Sequence, residues 1–310
     1  MKTSATVTTT FGTAPGKKPK AKGAAKVHTA KSKGQFAVFW LMFRRNKLAV
    51  VGLVIMVALV LCALTADFIT PYYPNDQNLQ GAFQWPSSDH WFGTDEFGRD
   101  IFTRVVYGSR QSLFVGLASV AISCVIGSLL GLIGGFYGGL IDNVVMRVSD
   151  TFMSIPSTLL AIAIVGSLGS SMRNLLMAIA IAQIPGFARI MRAAVLKVRS
   201  MEYIIAARVL GIPNRSIIMQ DVLPNCLSPI IVNITLSVGF AILSCAGLSF
   251  LGLGIQPPTP EWGGMISTAK NYVRDYPYMT IFPGAAIMLT ILALNFLGDG
   301  LRDALDPKMR

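Results

Sequence analysis

The stretch Glu202-Tyr203-Ile204-Ile205-Ala206-Ala207-Arg208-Val209-Leu210-Gly211 is the most informative in the chain. It is followed by Ile212-Pro213-Asn214-Arg215 and then by Leu223-Pro224-Asn225. The pattern predicts a short helix over Tyr203 to Leu210 with a small-residue face at Ala206 and Ala207. Gly211 is its C-terminal stop, and Pro213 follows two residues on. A short, stiff helix with a small face suits docking into a groove of a partner, through which a rigid-body push can pass. The chemistry offered is thus mechanical. Catalytic patterns are missing. A phosphate-binding loop needs GxxxxGK[ST], and the nearest approach, Gly12 to Lys17, is one residue short and has Lys18 where Ser or Thr is required. There is no HExxH and no nucleophile elbow. Cys62, Cys124, Cys226 and Cys245 form no CxxC pair, and His28 and His90 stand far apart with no ligand cluster around them. The sequence predicts no catalytic residue, no metal site and no cofactor on this chain.

The elements that must carry this stub are apolar. The chain is 53% hydrophobic and 14% charged, against roughly 25% charged in a soluble domain, so a bilayer is its natural solvent. Six apolar runs stand out: Leu48–Ala66, Leu113–Tyr137, Ile155–Gly169, Asn174–Ala188, Leu227–Gly254 and Thr280–Leu297. The third and fourth are short for a core of about 30 Å. The expected class is an all-α polytopic membrane protein of about six spans. None of the six runs contains Asp, Glu, Lys, Arg or His. Ion-coupled transporters generally need an ionisable group at membrane depth, so energy is expected to enter from outside the bilayer.

Charge orients the bundle. Residues 1–47 hold eleven Lys and Arg and no acid, while the rest of the chain sums to about +1. Residues 1–35 read as a disordered basic cytoplasmic tail; with Phe11 as their one aromatic residue, they give no reason to expect nucleic acid as a partner. The first loop, residues 67–112, carries Asp67, Asp76, Asp89, Asp95, Glu96 and Asp100 against three arginines and is expected outside. The loop 189–225 carries Arg189, Arg192, Lys197, Arg199, Arg208 and Arg215 against two acids and is expected inside. Both termini are then cytoplasmic. The implied organisation is the tail 1–35, a lead-in with first span and external loop over 36–112, a core of 113–298 containing the loop 189–225, and a cytoplasmic tail 299–310.

Smaller features sharpen this layout. Gly127, Gly131, Gly135 and Gly139 recur every four residues, which lets another backbone approach one helix face. Pro185 and Pro229 predict kinks. Asp100 and Arg104 are spaced as a helical pair worth roughly 0.2–0.5 kcal/mol, on an interfacial helix where Ile101 and Val105 share a face. Gln256 to Pro260 turns the chain, Trp262 is expected at the aromatic interface level, and Asp299, Arg302 and Asp303 are expected to end the last helix. Gln183 and Asn233 are polar side chains within spans; lining a passage and interhelical hydrogen bonding both remain open.

The loop around Ala206, Ala207, Gly211, Leu223 and Pro224 resembles the permease signature of ABC importers, with Ile205 where that family has Glu and Asp221 at a position usually apolar or His. Glu202 lies one turn before the missing acid. Three further segments are similar to the C-type permease subunit of dipeptide and oligopeptide importers from about residue 36 onward. They are Trp91-Phe92-Gly93-Thr94-Asp95-Glu96-Phe97-Gly98-Arg99-Asp100, Ser249-Phe250-Leu251-Gly252-Leu253-Gly254 and Asn295-Phe296-Leu297-Gly298-Asp299-Gly300. The resemblance implies an ABC type I importer permease fold in a bacterial inner membrane. It implies ATPase coupling through Glu202, Tyr203, Ala206, Ala207, Arg208, Gly211, Leu223 and Pro224. It also implies a homologous second permease, two ATPase subunits that bind ATP and Mg, an extracytoplasmic peptide-binding protein, and lipid around the bundle. Relatives with glutathione or nickel as cargo share these motifs.

Overall fold

The computed structural model describes residues 35–305. The basic tail 1–34 and Pro307 lie outside the described residues. The helices are α1 (Gln35–Arg45), α2 (Lys47–Leu64), α3 (Ala66–Ile69), α4 (Ile101–Tyr137), α5 (Gly139–Met153), α6 (Ser157–Leu168), α7 (Met172–Arg199), α8 (Glu202–Val209), α9 (Asn214–Ser216), α10 (Leu223–Phe250), α11 (Trp262–Ala269) and α12 (Tyr278–Leu305). A π-helical turn, Ile217–Val222, joins α9 to α10 into one continuous stretch. Five helices are long and apolar enough to cross a bilayer, and α5 with α6 makes a sixth span if the pair is counted as one.

That pair corrects the third expected span. α6 has only 12 residues, about 18 Å of helix, and cannot cross alone. α5 precedes it at an 84° bend, with the chain broken at Ser154, Ile155 and Pro156, so the two together make either a broken span or a re-entrant loop. The apolar run missed α5 because Asp142, Arg147 and Asp150 interrupt it. The fourth span is also longer than its run, since α7 continues through Arg189 and Arg192. Those arginines face α5: Arg192 Nε and Nη2 donate to Asp142 at 2.5 and 2.6 Å, and Arg189 Nη2 to Asp150 at 2.7 Å. The helices that extend beyond these runs therefore carry ionisable groups, of which Asp142 and Asp150 pair with Arg192 and Arg189.

α4 and α7 form the spine. A side chain at Gly131 would overlap the Ala188 carbonyl, one at Gly127 would lie 2.5 Å from the Ile184 oxygen, and one at Gly135 would meet Val195 at 3.1 Å. These three glycines let the two backbones touch, and Ser123 Oγ donates across to the Ala180 carbonyl at 2.9 Å. Gly139 does not belong to this face. It has φ +59°, follows Gly138 at φ +70°, and has open space around it; the two residues end α4 and turn the chain into α5.

One end of the bundle is acidic and the other basic. At the acidic end α4, with 37 residues, projects well beyond a bilayer core. No separate interfacial helix forms, because Ile101 to Tyr137 is one helix. Asp100 does not pair with Arg104. Its Oδ2 accepts from the Thr103 N–H at 2.7 Å as the N-cap of α4 and its Oδ1 lies 2.9 Å from His90 Nδ1, because an acid just before a helix is drawn to the free amides of the first turn. Arg104 donates instead to the Pro74 carbonyl at 2.7 Å. Trp262 is not an interface anchor: it is 1% exposed, and its indole donates to the Val105 carbonyl at 2.9 Å. Glu261 caps α11 through the Gly263 and Gly264 amides at 2.9 and 2.8 Å. Arg110 reaches the last carbonyls of α2, Ala63 and Leu64, and pairs with Asp67 at 2.8 Å. These hydrogen bonds hold the Asp67 carboxyl below its ordinary range.

Glu96 is the weak point of this layer. Its Oε2 is buried without a hydrogen-bond partner, and burial raises its pKa above the ordinary value. The folded chain thus holds the proton more tightly than the unfolded one. The stability it contributes is full below the unfolded pKa and is lost as pH rises through the raised folded value. Glu96→Gln is expected to raise the unfolding temperature at pH 8 by about 2 °C and to leave it unchanged near pH 4. Thermal unfolding at the two pH values checks this; a lower melting point at pH 8 contradicts it.

At the basic end the last helix closes at Leu305, two residues after Asp303, so Asp299, Arg302 and Asp303 lie in its final two turns, and Asp303 Oδ2 accepts from Asn46 Nδ2 at 3.1 Å. α1 lies against this end, with Phe43, Ala49 and Ala304 buried together.

Candidate functional site

α8 stands at the basic end between two spanning stretches. It starts after Met201 and ends in a Schellman turn: the Ile212 N–H donates to the Ala207 carbonyl at 3.1 Å and the Gly211 N–H to Arg208 at 3.0 Å. Gly211 takes φ +74° with nothing near its missing side chain. It is required for backbone conformation and not for space.

The helix has an inward and an outward face. Ile204 is fully buried and Ala207 nearly so, in an apolar cluster with Leu132 and Phe136 of α4, Met191, Val195 and Val198 of α7, and Val222, Cys226 and Ile230 beside and within α10. Consecutive helical residues point about 100° apart, so Ala206 and Ala207 cannot share a face. Ala206 is exposed while Ala207 is turned into the chain. Ala207 is small because it sits over this cluster.

Polar side chains also tie the stub to α4 and to the start of α10. The Arg208 guanidinium lies 4.9 Å from the Phe136 ring at the end of α4. Asn225 Nδ2 donates to Tyr203 Oη at 3.4 Å and to the Asp221 carbonyl at 2.6 Å. Leu223 is half-buried against the cluster and Pro224 is exposed in the first turn of α10. Proline cannot donate to the preceding turn, and this is the place where the π-turn gives way to α-helix. Glu202 is exposed in the first turn of α8, where an acid favours the helix dipole. Displacing α8 therefore displaces the ends of α4, α7 and α10 together.

Among the described residues nothing covers the outward face. Val209 is 82% exposed and Leu210 79%, with Ile205, Tyr203 and Ile212 also exposed beside them. The small-residue face expected at Ala206 and Ala207 is split between outside and inside, and the exposed apolar pair Val209 and Leu210 was not singled out from the sequence. The signal was present: Val209 and Leu210 are apolar residues directly before a helix stop in a loop that is otherwise basic.

Comparisons with known proteins place the chain in a family. Residues 127–310 match the family described as binding-protein-dependent transport system inner membrane component. Residues 34–86 match the N-terminal TM domain of oligopeptide transport permease C. The dipeptide transport system permease protein DppC of Alkalihalophilus pseudofirmus is 50% identical over 267 residues, covering 86% of this chain and 88% of the relative. The di/tripeptide transport system permease protein DppC of Pseudomonas aeruginosa is 44% identical, with 88% and 92% covered. The glutathione transport system permease protein GsiD of Pectobacterium atrosepticum is 43% identical, with 88% and 91% covered. Among solved structures, an inward-facing MetNI methionine ABC transporter matches with TM-score 0.55 and 19% identity, covering 66% of this chain and 97% of that one. This last likeness concerns the fold alone.

Proposed function

This chain belongs to the binding-protein-dependent transport system inner membrane components, and from that premise we propose the working of the whole assembly. It is the permease subunit of an ATP-driven importer of dipeptides or oligopeptides, and a second, homologous permease completes the passage. Two ATPase subunits bind ATP and Mg and dock at the basic end, on the cytoplasmic side with both termini. An extracytoplasmic peptide-binding protein delivers cargo to the acidic end. The observation that carries this reading is α8: an apolar tip that no other described residue covers, rooted by Ile204 and Ala207 in the helices it would move. Glu202, Tyr203, Ala206 and Arg208 surround the tip, while Gly211, Leu223 and Pro224 join it to α10.

The test is co-purification of this chain with its partner permease and ATPase subunits, reconstituted in lipid. Peptide-loaded binding protein is expected to stimulate ATP hydrolysis at least severalfold and to drive uptake. Flux through this chain alone without ATP contradicts the reading. The 43% identity to a glutathione permease supports a second cargo, so glutathione belongs in the same uptake assay.

A further inference from the structure

Beside the break between α5 and α6 lies an open cleft of about 370 Å³, bounded also by α7 and α10. Its wall carries Ser157 at the start of α6, Gln183 in the middle of α7, and Asn233 and Ser237 on α10. Phe152 and Phe240 flank it, and a second space of about 210 Å³ shares Ser157, Gln183 and Phe240. No charged side chain lines either space.

Polar side chains within spanning helices usually bond across to a neighbouring helix. These do not. Gln183 Nε2 is buried without any hydrogen-bond partner, and Asn233 Nδ2 donates only to Ser237 on its own helix, at 3.3 Å. Acyl chains offer neither donor nor acceptor, so a lipid-facing position would leave these groups unsatisfied. A cation site usually supplies carboxylates, and the wall has none. A side-chain amide carries both a donor and an acceptor, the same pair presented by a peptide bond.

Resting on the permease reading above, we propose that Gln183, with Asn233 and Ser237, is where this subunit's wall of the passage touches cargo. The contact is made to the peptide main chain. Amide groups without fixed charge take the backbone of any peptide in transit, irrespective of side chain, and hold it too weakly to trap it.

The full complex in lipid vesicles, supplied with saturating binding protein and a labelled dipeptide, tests this. Gln183→Leu is expected to lower uptake about tenfold, the effect of losing one hydrogen bond at the rate-limiting step, and to raise the ATP split per peptide delivered. Gln183→Asn, which keeps the amide, restores part of the loss. Normal uptake by Gln183→Leu overturns the proposal and leaves the permease reading standing; absence of ATP-driven uptake by the wild-type complex overturns the permease reading itself. Should Gln183→Leu assemble poorly, Gln183→Cys decides. Its thiol is expected to react with an impermeant methanethiosulfonate during ATP turnover and to be protected by the dipeptide. A thiol silent in every nucleotide state marks a static contact with the second permease and overturns the proposal.

Discussion

Gly131→Leu yields little or no assembled subunit in the membrane. The two backbones of α4 and α7 are in contact at this point: a Cβ alone would overlap the Ala188 carbonyl and stand 3.0 Å from the Arg192 nitrogen. Neither neighbour is a side chain that can rotate away. Relief requires the helices to part, which breaks the Ser123 to Ala180 bond and loosens Phe187, Met191 and Val195. Overpacking of a tight core costs roughly 1–3 kcal/mol and occasionally more; at a backbone contact, about 3 kcal/mol or more is expected. Gly284→Ala is the control. That glycine lies within α12 with open space beside it, so alanine should be neutral or stabilise by up to about 1 kcal/mol. Yield and unfolding of the purified complex check both variants. Normal unfolding of Gly131→Leu contradicts the spine described above.

The second large effect concerns the tip of α8. Val209→Asp combined with Leu210→Asp is expected to abolish peptide-stimulated ATP hydrolysis and uptake while leaving the unfolding temperature of the isolated subunit unchanged. Both side chains point away from the chain that carries them, so folding loses nothing. An interface loses two apolar anchors and gains two desolvated charges. With about 2 kcal/mol for each central contact, docking weakens at least about a thousandfold. Ala207→Trp should behave differently. It strikes the buried cluster beneath the helix and lowers the stability of the subunit itself, so its transport defect accompanies a structural one. A binding assay between purified permease and ATPase subunits, run beside thermal unfolding, separates the two variants.

The parts of this architecture that repeat along the chain were legible from the residues. Apolar runs marked most of the spans, and glycines at 127, 131 and 135 marked a backbone-to-backbone helix contact. Gly211 marked the end of the stub. What escaped was decided by partners distant in sequence. α5 was hidden because Asp142 and Asp150 look unsuited to a span until Arg192 and Arg189, some forty to fifty residues away, meet them. Asp100 and Arg104 have helical spacing, yet the free amides of α4 and the Pro74 carbonyl claim them separately. Trp262 matched an interfacial anchor by type, but the projecting end of α4 covers it. At the stub, spacing identified the helix and its stop but not its rotation, which the cluster under Ile204 and Ala207 sets.

The account turns on α8 being the place where force enters. A single cysteine at Val209, in membranes containing all the partner subunits, measures this directly. Cross-linking is expected to join it to the ATPase subunit, with a yield that changes when ATP binds. Labelling of that cysteine from the extracytoplasmic side by a reagent that cannot cross the bilayer, with no cross-link to the ATPase, would contradict it.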